Sequence, residues 1–461
     1  MNQSATCFFK SLRNKRVALV GIGVSHIDVI RMLAGKAAAV IVCDKRPPEA
    51  FDSALLDEFT GAGIELRLGE SYLDTLDFDI LFRTPGMYYN LPVLHKFREC
   101  GGIVTSEMEV FFDLCPCTVI AVTGSDGKTT TTTLIAEMLR ESGKTVHLGG
   151  NIGKALLPEI FSIQPGDFAV VELSSFQLIS MRKSPDIAVI TNVEPNHLDV
   201  HGNMEEYTDA KRNLYSHQNA FGLTVLNSDN TVTQGFMPLL RGHGRMFSLK
   251  SKPNGAWLRE DGMLCFCDNE GKTEELFHKN DIRLPGEHNI ANYLAAIAAV
   301  WGIVPTLSMH NVAKNFGGVE HRIEFVRELD GVKWYNDSIA TSPTRAIAGI
   351  KSFSQKLVII AGGYDKKIPF EPLAPYIVKN VKLLILTGDT ASKIEAAVRA
   401  DSEDSPTILH AEDLEQAVKI ARRETQPGDI VTLSPASASF DRYPNFEARG
   451  RHFKQLVNTL I

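Results

Sequence analysis

Thr118-Val-Ile-Ala-Val-Thr-Gly-Ser-Asp-Gly-Lys-Thr-Thr130 is the stretch that decides how the rest of the chain is read. Its first six residues are apolar or β-branched, the composition of a buried strand. Leu134, Ile135, Met138 and Leu139 follow on one face of a helix. A strand, a glycine-bounded loop and a helix start make a phosphate cradle, where loop N–H groups and the positive end of the helix dipole face an anion. Lys128 adds a mobile cation, and the Thr129 hydroxyl can reach a magnesium ion. The general pattern G-x-x-x-x-G-K-[ST] is not met, because Val122 stands where its first glycine belongs. The shorter Thr123-Gly-x-x-Gly-Lys-Thr129 stands in its place, so Gly124, Ser125, Asp126, Gly127, Lys128, Thr129 and Thr130 are the candidate phosphate residues. A plain strand-to-helix turn carrying a surface lysine is the structural alternative.

Working outward, the whole chain has 461 residues, enough for roughly three domains of ~150 residues. Hydrophobic residues at 44% and charged residues at 22% describe an ordinary globular protein. A formal net charge of −7 gives no footprint for nucleic acid. The N-terminus lacks the pattern of a secretory signal, and no run approaches ~18 uninterrupted apolar residues, so no membrane span is expected. Seven cysteines, an odd number, suit a reducing cytoplasm. The C-x-C spacing of Cys115 with Cys117 and of Cys265 with Cys267 argues against a zinc site.

Before the loop, Arg16-Val-Ala-Leu-Val20 predicts a strand, Gly21-Ile-Gly-Val-Ser25 a turn, and His26 to Leu33 a helix. Ala39-Val-Ile-Val-Cys43 predicts the next strand, ending at Asp44. An acid about 20 residues past the glycines of a βαβ unit approaches the dinucleotide fingerprint, but His26 stands where the third glycine belongs. NAD, another nucleotide and no nucleotide each remain compatible with these residues. Asp79-Ile-Leu-Phe82 predicts a strand running into Thr84-Pro-Gly86, at the end where ligands of open parallel sheets gather.

Beyond the loop, Phe168 to Leu173 predicts a strand closed by Glu172, the place of a magnesium-binding or water-orienting carboxylate in phosphoryl transfer. A buried glutamate paired to a neighbour is the alternative. His197, Asp199 and His201 follow the strand Ile187 to Val193 at alternate positions, on one face of an extended segment. They form a candidate metal cluster, and plain hydrogen-bonding histidines fit the same spacing. Tyr207-Thr-Asp-Ala-Lys211 opens a helix that brings a lysine to the same region. Residues 229–282 read as a small β-rich excursion without chemistry. Asn289 and Asn292 lie one turn apart at the start of an alanine-rich helix, where amides cap the helix or meet a purine. From Val332 onward, four strands end in Asn336-Asp-Ser338, Gly362-Gly-Tyr-Asp-Lys366, Thr387-Gly-Asp389 and Ser434-Pro-Ala-Ser-Ala-Ser439, and predict a second doubly wound sheet.

In this order, Thr123-Gly-x-x-Gly-Lys-Thr129, Glu172-Leu-Ser-Ser-Phe-Gln177, Asn192-x-x-x-Asn-His-Leu-Asp199, Tyr207-x-x-Ala-Lys211, Gly286-Glu-His-Asn-Ile-Ala-Asn292 and His321-Arg322 resemble the Mur ligases. These are ATP-dependent amino-acid ligases of peptidoglycan precursor synthesis. Asn336-Asp-Ser-x-Ala-Thr341, Gly362-Gly-x-x-Lys366, Leu433 to Asp441 and Asn445-Phe-Glu-x-Arg-Gly450 are similar to the members that add D-glutamate.

The resemblance implies an α/β chain of three domains. Residues 1–112 would be a Rossmann-like domain for the UDP part of UDP-N-acetylmuramoyl-L-alanine. Residues 113–320 would be a P-loop-type ATPase, and 321–461 a doubly wound, Rossmann-like domain bringing the amino acid. Val24, Ser25, Asp44, Arg46, Gly86 and Asn151 are thereby assigned to the UDP-sugar. The loop from Gly124 to Thr130, with Asn289, Asn292, Arg322 and Asp337, is assigned to ATP. Thr341, Lys366, Ser439 and Phe446 are assigned to D-glutamate. Lys128, Glu172, His197 and Lys211 would carry catalysis, and magnesium would fall to Thr129, Glu172, His197 and Lys211. Lys211 would act as a carbamate formed with carbon dioxide, which replaces a repelled ammonium by an anionic ligand. The implied reaction joins D-glutamate to the UDP-sugar through an acyl phosphate, in the cytoplasm, by a monomer whose partners are small molecules alone.

Two other readings compete. One is a related ligase adding L-alanine, a diamino acid or a folyl glutamate, against which the Asn445–Gly450 segment and the Rossmann-like start argue. The other is a catalytically silent nucleotide-binding relative. It draws on one departure, Ile339, which stands where many family members carry lysine. Arg345 and Lys367 are the nearby cations, and Pro343 predicts that Arg345 lies in a first helical turn.

Overall fold

The computed structural model describes residues 2–195, 201–402 and 406–461, the side chains of Val24 and Ser25 excepted. The chain forms two compact units, Met1–Asp281 with Ile290–Val312, and Ile282–Asn289 with Ala313–Ile461. Among the described residues, no helix is long and apolar enough to cross a membrane.

The first unit holds two sheets. One has five described strands, all parallel, in the order Glu65–Leu68, Ala39–Asp44, Arg16–Val20, Ile80–Phe82, Ile103–Thr105. Arg16–Val20 has its sequential neighbour on one side and Ile80–Phe82 on the other, so the strand order reverses there. That reversal opens a crevice at the carboxyl ends of the strands. Gly21, at φ 92°, turns the chain so closely under Thr84 that a Cβ would come within 3.3 Å of its side chain. The following helix is Val24–Leu33, two residues longer than the sequence predicts, because extended Gly23 already serves as its N-cap.

In the second sheet, Thr118–Thr123 lies between Phe168–Glu172 and Ile187–Ile190, and all three run parallel. Val119 to Val122 are buried, as befits a strand covered on both faces. Val146–Gly150 closes one edge, and Leu223–Asn227 continues the sheet on the other side. Residues 229–282 are β-rich, as the sequence predicts, and their strands join the second sheet. His243–Ser248 and Gly255–Leu258 extend the same sheet in parallel, and Met263–Cys267 and Thr273–His278 add two antiparallel strands.

The second unit holds a sheet in the order Glu324–Leu329, Val332–Asn336, Ile430–Leu433, Leu357–Ala361, Val381–Leu386, Thr407–His410. The four predicted strands are its centre, and the two additional strands are its edges. Glu324–Leu329 is antiparallel to Val332–Asn336 across Asp330-Gly331, at φ 50° and 76°. That is the two-residue hairpin turn which Asp-Gly favours.

Candidate active site

The phosphate loop leaves Thr118–Thr123 and enters the helix Lys128–Glu141 as the sequence predicts. Gly127 caps the helix at φ 77° with no side-chain bond to its first amides. Those amides are the orphan donors that make a helix start an anion site. Both loop glycines are required by close approach. A Cβ on Gly124 would lie 1.9 Å from Thr191 Oγ1, and one on Gly127 would lie 2.3 Å from Asn292 Oδ1. Asn192 Oδ1 accepts from the amides of Ser125 at 3.2 Å and Asp126 at 2.9 Å, bracing the loop from the next strand end. Lys128 Nζ donates to the carbonyls of Gly124 at 3.0 Å and Ser125 at 2.8 Å. Thr129 and Thr130 are buried in the first turn. Asn292 faces this loop, where Thr131 Oγ1 donates to its Oδ1 at 3.3 Å.

Glu172 ends the neighbouring strand and is 1% exposed. Its Oε1 accepts from Asn151 Nδ2 at 2.7 Å, while its Oε2 is buried with no partner among the described residues. A desolvated carboxylate oxygen left open is costly, and a cation satisfies it. Lys211, on the helix Met204–Ser216, is also 1% exposed. Its Nζ donates to Gly124 O at 2.8 Å and sits 4.5 Å from the Tyr207 ring centroid. Burial, and then the nearby charge of Lys128, pull its pKa well below the ordinary lysine value. The neutral amine thus becomes accessible, beside the loop that carries the candidate phosphate residues. Tyr207 shares its hydroxyl with Ser125 Oγ at 3.0 Å, tying the lysine helix to the same loop.

A cavity of about 240 Å³ lies beside this centre, lined by Asn151 and Gln177 from the second sheet's loops and by His26, Arg83, Pro85 and Glu107 from the first sheet's side. Arg83, 1% exposed, joins the two. It donates to Phe176 O at 2.8 Å and Ser180 Oγ at 2.7 Å, on the short turn that follows Glu172. Glu107 accepts from the amides of Leu156 and Leu157 at 2.9 and 2.8 Å, and burial pushes its pKa up to about 7.

Asp44 and Arg46 meet at the first sheet's crevice. Asp44 accepts from the Ile22 amide at 2.8 Å and pairs with the Arg46 guanidinium at 2.7 Å. Burial alone would raise the Asp44 carboxyl, but its bonds to Arg46 and Ile22 hold it below the usual range. Arg46 is exposed and stacks over Phe51 at 4.4 Å. Gly86 is exposed just past the strand Ile80–Phe82. Val24 and Ser25 open the helix at this crevice, and their side chains lie outside the described residues.

His197 and Asp199 lie outside the described residues. Their predicted companion His201 is buried, shares a hydrogen bond with Ser175 Oγ at 2.8 Å and stacks on Phe176. Among the described residues, no group of three His, Cys, Asp or Glu could hold a metal ion.

The remaining assigned residues belong to the second unit. Asn289 is buried, with Nδ2 donating to Pro285 O at 2.6 Å. Arg322 stands between two residues with left-handed backbone, His321 at φ 66° and Ile323 at φ 44°. The second is a β-branched residue where such a φ is strained. Asp337, at the end of Val332–Asn336, accepts from Ser434 Oγ at 3.1 Å and the Ile323 amide at 3.3 Å. Its burial pushes the carboxyl up to about 7. Thr341 and Phe446 are half-buried, Ser439 is buried and Lys366 is exposed. Arg345 lies in the first turn of Pro343–Lys351, and its Nη1 donates to Ile339 O at 3.3 Å, which brings a guanidinium beside that position. Lys367 is exposed at φ 59°.

Residue-by-residue reading gave no role to Asn192, Tyr207, Arg83 or Arg449. Arg83 follows an apolar strand immediately and Asn192 follows one a residue later, and a polar residue at a strand end is the signal they carry.

Comparison with known proteins agrees with this layout. Residues 122–300 match the family model described as Mur ligase middle domain, and residues 321–437 match Mur ligase, glutamate ligase domain. The chain is 52% identical, over 100% of both chains, to the UDP-N-acetylmuramoylalanine--D-glutamate ligase of Acetivibrio thermocellus. It is 45% identical to the protein of that name from Clostridium acetobutylicum, over 98% of each. Among solved structures it is similar to a UDP-N-acetylmuramate-alanine ligase from Thermotoga maritima, with TM-score 0.59, 17% identity, and 97% and 100% of the two chains covered. It is also similar to a pseudomurein peptide ligase type C from Methanothermus fervidus, with TM-score 0.53, 18% identity, and 96% and 99% covered. At those identities the likeness is one of fold.

Proposed function

The chain belongs to the Mur ligases, and from that premise we propose that it joins D-glutamate to UDP-N-acetylmuramoyl-L-alanine with ATP, in peptidoglycan precursor synthesis. The observation that carries this reading is the 52% identity running the full length of both chains, through the phosphate loop and the second unit alike.

A carboxylate is a poor electrophile, so activation precedes amide formation. An oxygen of the alanyl carboxylate attacks the γ-phosphorus of ATP, the bond to the bridging oxygen breaks, and ADP leaves behind an acyl phosphate. The neutral amine of D-glutamate then attacks the acyl carbon, the amine loses a proton, and phosphate departs with its oxygen. The protein contributes position and charge. The loop amides and the Gly127-capped helix start hold the phosphates, and Lys128 turns from its own loop carbonyls to neutralise them. We assign the uridine diphosphate to the crevice of Val24, Ser25, Asp44, Arg46 and Gly86, with Asn151 further along the cavity. Asn289, Asn292, Arg322 and Asp337 are assigned to ATP, and Thr341, Lys366, Ser439 and Phe446 to D-glutamate.

Magnesium fits the residues present, because Glu172 offers a buried oxygen with no described partner. Thr129, Glu172, His197 and a carbamate on Lys211 would hold it, and it would neutralise charge on the transferring phosphoryl group. The carbamate follows from the depressed basicity of Lys211. Its neutral amine adds carbon dioxide, forming an N–C bond and releasing one proton, and a buried neutral amine becomes an anion. The domain limits proposed are 1–112, 113–320 and 321–461, in a cytoplasmic monomer acting on small molecules.

The test is phosphate release from ATP and the UDP-sugar against a panel of D- and L-amino acids. D-Glutamate alone is expected to support turnover. Release with L-alanine or a diamino acid instead, or release indifferent to any amino acid, would sink the reading.

A further inference from the structure

Arg449 is a buried cation of the second unit, engaged by four hydrogen bonds to two loops. It lies in the first turns of the helix Phe446–Thr459 and is 4% exposed. Its guanidinium spans two loops. Nε donates to Ser338 Oγ at 3.1 Å and Nη2 to Ser338 O at 3.0 Å, on the loop that leads to Thr341. Nη2 also donates to Ser437 O at 3.0 Å, and Nη1 to Ala438 O at 2.9 Å, on the loop that leads to Ser439. A third loop closes on the same group. A Cβ on Gly363 would come within 3.0 Å of Nη1 and 2.2 Å of Ala438 O, and the Tyr364 amide donates to that same carbonyl at 3.0 Å. Gly363 begins the stretch that reaches Lys366. Helix and loop are joined in return, because Ser338 Oγ donates to Phe446 O at 2.8 Å.

No hydrogen bond of this guanidinium goes to a carboxylate among the described residues; its acceptors are three main-chain carbonyls and one hydroxyl. Burial pushes its pKa down to about 10, against the opposing charge of nearby Asp441, so the guanidinium stays charged at neutral pH in the interior. A staple for stability alone is better made from apolar side chains than from a desolvated charge. What a planar five-donor fork supplies is fixed geometry between several acceptors at once.

We infer that Arg449 is the positioning residue for the incoming amino acid. It holds the loops bearing Thr341, Lys366 and Ser439 in one register around the helix that carries Phe446. The inference rests on the proposed role of those four residues.

The test compares Arg449→Lys and Arg449→Ala with the wild type by steady-state kinetics in all three substrates, with circular dichroism and thermal unfolding alongside. An ammonium on a flexible stem serves one loop at a time, so Arg449→Lys is expected to raise the D-glutamate KM about tenfold. Arg449→Ala is expected to raise it roughly a hundredfold, with millimolar guanidinium ion recovering part of the loss. The KM for the UDP-sugar should stay within about twofold in both, since that substrate is assigned to the first unit. An unchanged D-glutamate KM, or an equal shift in every KM, would overturn the inference. Should Arg449→Ala fail to fold, Ser338→Ala removes the Nε acceptor while keeping the main chain. A rise confined to the amino-acid KM supports the inference, and no rise overturns it. If wild-type turnover depends on a different amino acid, the proposed substrate falls, and the same KM split is read on that amino acid.

Discussion

The phosphate loop of the first unit and the strand-end loops of the second answer one requirement in opposite ways. Each must turn the backbone sharply and keep it rigid for a ligand. The phosphate loop does so with glycine, at φ 154° for Gly124 and 77° for Gly127, where a Cβ would collide with Thr191 or Asn292. The second unit uses glycine at Gly362 and Gly363, but it also places His321, Ile323, Lys367 and Ala436 in left-handed backbone, at φ 66°, 44°, 59° and 54°. Strain of that kind persists only where neighbours over-determine the conformation. Here the neighbours are Asp337, which accepts from the Ile323 amide, and Arg449, which donates to the loop carbonyls of Ser437 and Ala438. The lesson is that a loop built on glycine turns without backbone strain and is braced by a neutral amide, Asn192, whereas the strained loops are held by buried ionisable side chains.

The largest effects should come from the glycine-built side, because Lys128 is proposed to act on the phosphates directly. Lys128→Ala is expected to lower kcat by ~10²–10³ or more while the fold survives, the scale of losing one electrostatic stabiliser. Near-normal phosphate release from a folded variant would remove ATP from this loop. Lys211→Ala should be nearly as damaging, and short carboxylates should restore part of the activity by supplying the anion that the proposed carbamate would provide. A fully active alanine variant would take Lys211 out of the site.

Legibility follows the same division. The phosphate loop was readable because glycine, lysine and threonine at fixed spacing are rare without a reason, and the strand before it is uniformly apolar. Glu172 was readable as a carboxylate closing a buried strand. The left-handed Ile323 was not, since nothing in an isoleucine announces positive φ. Nor was the partnership of Arg449 with Ser338 and Ser437, residues 111 and 12 positions away, which only the folded chain brings together. The β-rich character of 229–282 was readable, but not that its strands extend the sheet of Thr118–Thr123, because that pairing is made only in the fold.

Buried carboxylates offer an intermediate test, one in each unit. Glu107 and Asp337 both have pKa values raised to about 7 by burial. In the unfolded chain they titrate near 4.5 and 3.8, so between those values and about 7 folding takes up a proton at each site. Stability should therefore be full below the unfolded pKa and fall as pH rises to about 7. The loss is roughly 3 kcal/mol for Glu107 and roughly 4 kcal/mol for Asp337, and no more follows above that pH. Glu107→Gln keeps an acceptor for the Leu156 and Leu157 amides and removes the charge, so it should flatten the slope between pH 5 and 7 and be more stable than wild type at pH 8. Asp337→Asn should do the same for the second unit. Urea midpoints across that range read both, and an unaltered slope would show that neither carboxyl is protonated at neutral pH.

Arg345→Ala should be milder. Its guanidinium is exposed and donates to the Ile339 carbonyl, so a charge-assisted contact to substrate is worth ~1.5 kcal/mol there, or roughly tenfold in kcat/KM for ATP or D-glutamate. Unchanged constants for both substrates would leave Arg345 a solvated helix residue and Ile339 without a substitute cation.

The smallest effect bears most directly on the contrast between the two loop types. Holding a β-branched residue in left-handed backbone costs ~1–2 kcal/mol, and glycine removes that cost. Glycine also frees the unfolded chain, which takes back ~0.5–1 kcal/mol. Ile323 is only half-buried, so little packing is lost with its side chain. Ile323→Gly is therefore expected to be neutral or to stabilise the protein by up to ~1 kcal/mol. Activity should nonetheless fall, because Arg322 would then hang on a flexible hinge in place of a strained one. A stabilised but slower variant is the signature of strain held for function. If Ile323→Gly were instead destabilised by more than ~1 kcal/mol, packing would outweigh backbone strain at this position, and the contrast between the two loops would reduce to a difference in side-chain burial.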